Sequence, residues 1–463
     1  MKILYFNWVP TRAFSRDGGG VSIYQRNLLN YFSKEPDVDV FYLTTSYAYD
    51  LIHKEPYIRK TKVSTISNIN EYEIVNSPIL APSFFSFNKV KAYFEYDKTI
   101  DLIDKFIRDN GPFDVIHFNN LEGISARVLE LKKKYPSLKF IYSLHNYFPF
   151  CAQVNLWYRD SENCINFENG RKCKTCNIFP IDYKMMMFER SNWAKSNHRK
   201  LTKVAGKVFS IVHEKENMEA DPDFALRRES YIKLINENVD LVLCVSKRVK
   251  DIAVKMGITP NKCKVQYIGT KHADYANNYQ NIIKHDGSIM MGYLGYMRRD
   301  KGFYFFLNCL EKMSDKLSRN IGIKVAAPIT DNDAARRLLK LNNKFKSVEL
   351  INGYTPQNLK DILKGVNLGI VPVLWEDNLP QVALEFTAYG IPIVTSDLGG
   401  AQELTMSNDF IFQAGNTSSF IAKISAILDD PNSLRKFWPN EKDKNHLISV
   451  ETHCKELQKL YAQ

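Results

Sequence analysis

The chain alternates short runs dominated by apolar residues with longer stretches whose apolar positions recur every three or four residues. Ile3–Phe6, Val38–Leu43, Val115–Phe118 and Phe140–Leu144 have the length and density of buried strands. Ser22–Phe32 and Ile124–Lys134, lying between them, have helical spacing. Strands covered on both faces carry apolar residues at nearly every position, so this alternation predicts a parallel sheet with helices on both sides. Residues 151–235 break the rhythm; they are rich in Cys, Asn, Lys, Met and aromatics and read as an insertion with helical pieces. The rhythm resumes at Val239–Val245, a helix from Lys247 to Met256, and Val265–Ile268. Lys271–Ser288 is polar and turn-rich, a candidate linker. A second alternating domain starts at Ile289, and Leu434–Leu460 has helical spacing with aromatics that need a packing partner. The pattern predicts an α/β protein: a first domain over 1–275 with its insertion, a second over 285–433, and a helical segment over 434–463.

Length agrees, since 463 residues exceed what one ordinary core holds. No apolar run approaches bilayer length, and MKILYFNWVP reads as a first buried strand rather than a signal peptide, so a cytoplasmic location is expected. Lys+Arg 63 against Asp+Glu 51 gives a net charge of +12. That excess is either a solvated basic surface or a face for anionic lipid or phosphorylated ligands. No nucleic-acid motif accompanies it, and nucleic acid is not an expected partner.

The richest chemistry lies between Val371 and Leu404. An apolar strand ends at Pro372-Val373, a polar elbow Trp375-Glu376-Asp377-Asn378 follows, and Leu379-Pro380 opens a helix that Gly390 stops. Ile391–Thr395 is the next strand, leading into Ser396-Asp397 and the glycine turn Gly399-Gly400 before another helix. Strand, acidic turn, helix, strand, glycine turn puts two helix N-termini on one sheet edge, where an anion such as a diphosphate can sit. Asp377 and Glu385 are carboxylates able to accept hydrogen bonds from sugar or ribose hydroxyls. Lys301-Gly302 forms a second strand–helix turn, with Arg298 and Arg299 just before it, placing cations where a leaving phosphate would need them. Gly18-Gly19-Gly20 falls between the first strand and the first helix, where a glycine turn lets backbone approach a ligand.

His117 and His145 each end an apolar run and are expected at the carboxyl edge of the first sheet, His145 beside the short polar Asn146. Cys151, Cys164, Cys173 and Cys176 form C-x12-C-x8-C-x2-C inside the insertion. Two readings stand: a structural zinc held by four thiolates, or unligated thiols. Cys244, Cys263, Cys309 and Cys454 lie singly in apolar segments and read as core. There is no nucleophile elbow, no Walker loop, and no Asp-x-Asp pair in a setting suited to a catalytic divalent metal.

With these residues in place, the chain resembles the retaining family-4 glycosyltransferases of the two-Rossmann-domain GT-B type over nearly its whole length except the insertion. The most specific part is Asp377-Asn378-Leu379-Pro380-Gln381-Val382-Ala383-Leu384-Glu385, then Gly390-Ile391-Pro392-Ile393-Val394 and Gly399-Gly400-Ala401-Gln402-Glu403-Leu404. It is similar to the family's paired-acid motif, here with Asp377 as first acid. The family's Gly-Arg-x-x-x-x-Lys-Gly appears as Gly295-Tyr296-Met297-Arg298-Arg299-Asp300-Lys301-Gly302, so Tyr296 takes the arginine's place and Arg298 or Arg299 are the candidates to reach in.

The resemblance implies two Rossmann-like domains facing a cleft and a final helix crossing back to the first domain. It implies sugar transfer from a nucleotide sugar (UDP- or GDP-linked) to an acceptor hydroxyl, with retention and without a cofactor. Lys301 with Arg298 or Arg299 would stabilise the departing diphosphate, Glu385 would bind the ribose, and Asp377 and His145 would orient the sugar. Gly19, Gly20, Leu379 and Pro380 would line the donor site, and His117 and Asn146 the acceptor side. Ser246 and Lys247 match a segment that closes the first domain. The expected acceptor is a glycan or lipid-linked precursor of a cell-surface polysaccharide or glycolipid, with the basic first domain resting on an anionic membrane. The competing expectations are a nucleotide-sugar epimerase or phosphorylase of the same fold, and a non-catalytic glycan-binding protein.

Overall fold

The computed structural model describes residues 1–13, 18–50, 52–82, 89–176, 221–273, 287–438 and 447–463. The second half of the expected insertion (177–220) and most of the expected linker (274–286) lie outside the described residues. Two parallel sheets organise the rest.

The first sheet has eight strands in the order β10-β9-β6-β5-β1-β2-β4-β3. They are β1 (Lys2–Phe6), β2 (Asp39–Ala48), β3 (Tyr57–Lys60), β4 (Asn70–Val75), β5 (Val115–Phe118), β6 (Lys139–Leu144), β9 (Leu241–Cys244) and β10 (Cys263–Val265). All neighbours run parallel except β3, which pairs antiparallel with β4 at the edge. In register, Ile3 lies beside Val40 on one flank and Val115 on the other, so the apolar runs stack into one core. The second sheet has six parallel strands in the order β13-β12-β11-β14-β15-β16. These are β11 (Ile289–Leu294), β12 (Ile321–Ala327), β13 (Ser347–Asn352), β14 (Leu368–Val371), β15 (Ile393–Ser396) and β16 (Ile411–Phe412). A two-stranded hairpin, β7 (Trp157–Tyr158) and β8 (Glu162–Asn163), stands in the insertion.

Helices cover both sheets, and their local chemistry sets their ends. Helix α1 (Gly19–Phe32) buries Leu28, Leu29 and Phe32. In α2 (Lys98–Asn110), Asp97 accepts the Thr99 N–H as N-cap, while Ile100, Ile103, Phe106 and Ile107 form one buried stripe. Then follow α3 (Pro222–Asn238), α4 (Lys247–Lys255), α5 (Phe303–Lys312), α6 (Asn332–Lys340), α7 (Gln381–Ala388), α8 (Thr417–Asp429) and α9 (Val450–Ala462). The helical pattern at Ile124–Lys134 becomes a 3-10 helix, Ala126–Glu130, continued by one α-turn, and the segment after Gly400 is also 3-10, Ala401–Leu404. Over so few residues the apolar spacing of the two helix types is nearly the same.

Helix α9 closes the architecture. It lies against the first domain: Tyr461 Oη is 3.1 Å from Tyr5 Oη, and His453 Nε2 is 2.9 Å from Tyr24 Oη. The outgoing and returning chain segments touch where Thr270 N donates to the Ile448 carbonyl at 2.9 Å. Ligands of open parallel sheets gather beyond the carboxyl ends of the strands, which here fall between the two domains.

Candidate functional site

The second domain builds its side of the cleft on the turn between β14 and α7. Pro380 presets φ at −65° as N-cap, and no side chain caps the helix, so its first N–H groups remain available. Opposite stands α1, whose N-cap Gly18 is left-handed and also provides no side-chain cap. A Cβ added to Gly20 would lie 3.1 Å from Gln381 Cγ. The glycine turn of one domain therefore approaches the helix start of the other, and two positive dipole ends converge where an anion is best held.

The side chains follow from backbone constraints. At Gly302, φ is 72° and a Cβ would sit 1.7 Å from the Pro372 carbonyl oxygen, so only glycine lets this turn pack against the end of β14. That packing brings Lys301 Nζ to 2.6 Å from Asp377 Oδ2 and 4.9 Å from the Trp375 ring centre. Asp377 is itself pinned, since Gly400 N donates to its carbonyl at 2.8 Å. One turn into α7, Glu385 accepts the Tyr354 hydroxyl at 2.6 Å. Burial pushes the Glu385 carboxyl up to about 7, against the opposing pull of that hydrogen bond.

On the first domain, His145 emerges at the end of β6 with its ring 4.3 Å from that of Tyr24. Its Nε2 is buried without a hydrogen-bond partner. Burial, and secondarily His453, lowers its pKa to about 3, so the imidazole is neutral. Asn378, 4% exposed, leaves both amide atoms unpaired. Leu379 and Pro380 are buried under the same turn.

Other expected site residues lie elsewhere. His117 is fully buried: Nδ1 meets Tyr461 Oη at 2.6 Å and Nε2 meets Ser143 Oγ at 2.7 Å. Both nitrogens are satisfied within the first domain and α9, so the acceptor-side expectation is corrected to a structural one. Asn146 is likewise spent within the first domain, giving Nδ2 to Glu122 at 3.0 Å and taking the Phe148 N–H at 3.1 Å. Arg298 folds onto Asp300 through two hydrogen bonds of 2.9 and 2.8 Å. Arg299 points to Asp160 of the insertion at 4.0 Å, and Tyr296 is 49% exposed. Neither arginine joins Lys301.

Ser246 is where the domains meet. It caps α4 by accepting the Val249 N–H, and it donates to the Asn378 carbonyl at 2.8 Å. Glu403 accepts the N–H groups of Lys247 and Arg248 at 2.9 and 2.7 Å and the Tyr267 hydroxyl at 2.6 Å. Arg248 grips Glu376 with a fork, its Nε at 2.9 Å. Tyr354, Arg248 and the interdomain role of Glu403 are absent from the sequence reading. Glu403 and Glu376 stand inside or beside the recognised motif, but Tyr354 has no local pattern to mark it.

The four insertion cysteines line one small cavity with Lys172 and Arg228. All are free thiols, and among the described residues no group of three or more His, Cys, Asp or Glu side chains is arranged to hold a metal ion.

Two facing Rossmann-like domains, with a returning C-terminal helix and an anion-receptive cleft, define the GT-B architecture. Solved structures agree across the whole chain. Sucrose-phosphate synthase from Thermosynechococcus elongatus superimposes with a TM-score of 0.60 at 14% identity, covering 100% of this chain and 98% of that one. Anabaena HepE in complex with UDP and glucose gives 0.56 at 13%, covering 100% of both. The E. coli structure described as trehalose-6-phosphate bound with UDP-2-fluoro glucose gives 0.57 at 12%, covering 100% and 99%. The model of the family glycosyl transferases group 1 matches residues 288–430, within the second domain.

A Klebsiella pneumoniae protein described as an uncharacterized 42.6 kDa protein in the cps region is 23% identical over 305 residues, 65% of this chain and 62% of its own length. An uncharacterized glycosyltransferase of Methanocaldococcus jannaschii is 26% identical over 175 residues, 35% of this chain and 44% of its own length. The matched part thus spans less than two thirds of either relative.

Proposed function

We propose that this protein transfers a sugar from a nucleotide-sugar donor to an acceptor hydroxyl with retention at the anomeric carbon. The observation that carries the reading is the cleft wall itself. Lys301, held against Asp377, stands beside an uncapped helix start, and Glu385 lies one turn further in. The bond from the anomeric carbon to the diphosphate breaks, and the bond to the acceptor oxygen forms on the same face. The acceptor proton passes to a donor phosphate oxygen, which needs no protein nucleophile. Lys301 and the N–H groups of α7 neutralise the leaving diphosphate. Glu385 accepts from the ribose, while Asp377 and the neutral His145 orient the sugar. Domain closure, held by Glu403 and Arg248, excludes water.

The bound ligands named for Anabaena HepE and for the E. coli structure support a UDP-linked donor. The cps-region relative supports an acceptor in cell-surface polysaccharide synthesis. No described helix is long and apolar enough to cross a membrane. A cytoplasmic site of action, with basic surface resting on anionic lipid, is part of the same proposal and is supported by the +12 charge. The exposed Tyr296 favours the second reading, a glycan-binding protein without turnover. No cofactor is assigned to the reaction. We propose the cysteine cluster as a structural zinc site whose four thiols would have to close from their present positions around the metal, with unligated thiols as the alternative; the sharing of one cavity by the four supports it, and Arg228 and Lys172 would offset tetrathiolate charge.

A thermal-shift panel of nucleotides and nucleotide sugars identifies the donor, since a ligand selective for the folded state raises its stability. With that donor, Lys301→Ala is expected to slow transfer about a hundredfold or more, the scale of removing one transition-state charge contact. Glu385→Ala is expected to weaken donor binding. Full activity in either variant rejects these roles, and measurable turnover with any acceptor eliminates the binding-protein reading.

A further inference from the structure

A second cavity, of about 650 Å³, lies between the insertion and the second domain, and neither Lys301, Asp377, Glu385 nor His145 lines it. One wall is the β7–β8 hairpin, with Trp157 and Asp160; the other is the outer face of α5, with Tyr304 and Asn308, together with Arg299 and Asp331. The hairpin is fastened to the second domain through Asn163 Nδ2, which donates to the Leu374 carbonyl at 2.9 Å. The cavity is therefore a built feature of the closed molecule.

Its chemistry is specific. The buried Trp157 holds Asp160 through Nε1 at 3.1 Å, and the half-buried Tyr304 holds Asp331 through its hydroxyl at 3.0 Å, so two carboxylates are fixed on the wall and Tyr304 supplies the accessible ring. The Arg299 side chain is 68% exposed, with its Nε 4.0 Å from Asp160 Oδ2. A flat aromatic ring such as that of Tyr304 suits the C–H face of a pyranose, and carboxylate, amide and guanidinium groups suit pairs of vicinal hydroxyls. A diphosphate does not fit: Asp331 already caps α6, and Arg298 is neutralised by Asp300. The size is that of a small-molecule site.

We propose that this cavity is a second carbohydrate site, selective for a neutral oligosaccharide. Resting on the transferase reading, its occupant is the part of the acceptor chain distant from the reacting hydroxyl, and the insertion makes the protein choose a chain over a single sugar.

The test uses the full chain on an array of neutral and acidic oligosaccharides of graded length, followed by titration of the best binder and of its terminal monosaccharide. The expected result is retention of neutral chains, binding of the chain at least about tenfold tighter than the monosaccharide, and about a tenfold loss in Asn308→Ala and in Tyr304→Ala. The nucleotide-induced thermal shift should be unchanged in both variants, which also shows that they fold. No retention by the wild type, preference for acidic chains, or undiminished binding by Asn308→Ala overturns the site. If neutral chains bind as expected but no nucleotide sugar shifts the melting temperature, the carbohydrate site stands and the transferase reading falls.

Discussion

Glu385 is the residue whose environment does most to its chemistry. Its carboxyl sits near 7 in the folded chain against an ordinary 4.5, because burial disfavours the charge. The protonated form is therefore the one folding prefers. Its stabilising contribution is complete below about pH 4.5 and is lost as pH rises through about 7. Donor binding, which needs the ionised carboxylate as acceptor, should run the other way. Calorimetric titration with UDP is expected to show affinity rising from pH 6 to pH 8 by about tenfold at most. Glu385→Gln should flatten both that profile and the loss of melting temperature between about pH 4.5 and 7; an unchanged slope in the variant rejects the assignment. The spacing of Asp377 and Glu385 is legible in the sequence, but the shift is not. It comes from burial of the carboxyl once the second domain packs, and is opposed by the hydrogen bond from Tyr354, which arrives from another strand–helix turn. The same holds for His117, which reads as a strand-end site residue until Tyr461, from the far end of the chain, takes its Nδ1.

Among the elements, the central parallel strands β1, β5, β6 and β9 were the most readable, because burial on both faces leaves few polar positions to interrupt them. Strand β3 was not. Tyr57–Lys60 is short, half exposed and antiparallel, and its pattern is that of a loop. The β7–β8 hairpin was hidden for a related reason: two residues per strand leave no periodicity to see. The cysteines beside it were visible, and their meeting on one cavity is a tertiary fact. Burial raises the thiol of Cys164 to about 11 and that of Cys176 to about 12, so without a metal they are neutral. Zinc would have to draw them together and displace their protons. Protein purified without chelator is expected to carry about one equivalent of zinc; below about a tenth of an equivalent, the thiols are free.

At the scale of the whole molecule, the domains are joined at α4 by the second domain's carboxylates. Glu403 satisfies two N–H groups at the start of α4, and Glu376 neutralises Arg248 in the next position. Glu403→Ala is expected to cost about 1–2 kcal/mol at this contact, since hydrogen bonds to a charged group are lost at a partly exposed site. Small-angle scattering of the ligand-free protein should then show a larger radius of gyration, with the two sheets intact by circular dichroism. An unchanged radius would mean that Ser246, the chain crossing at Thr270 and Ile448, and α9 hold the domains together without it.

The sequence by itself determined the two sheets, the glycine turns and the paired acids, because each follows from local rules: burial period, allowed φ, and helix ends. Tertiary structure decided which cation meets the paired acids. Arg298, Arg299 and Lys301 are near neighbours in sequence, yet only Lys301 reaches Asp377, since Asp300 and the insertion take the other two. Pairing among charges depends on which elements pack together, and that is settled over distances no local pattern spans.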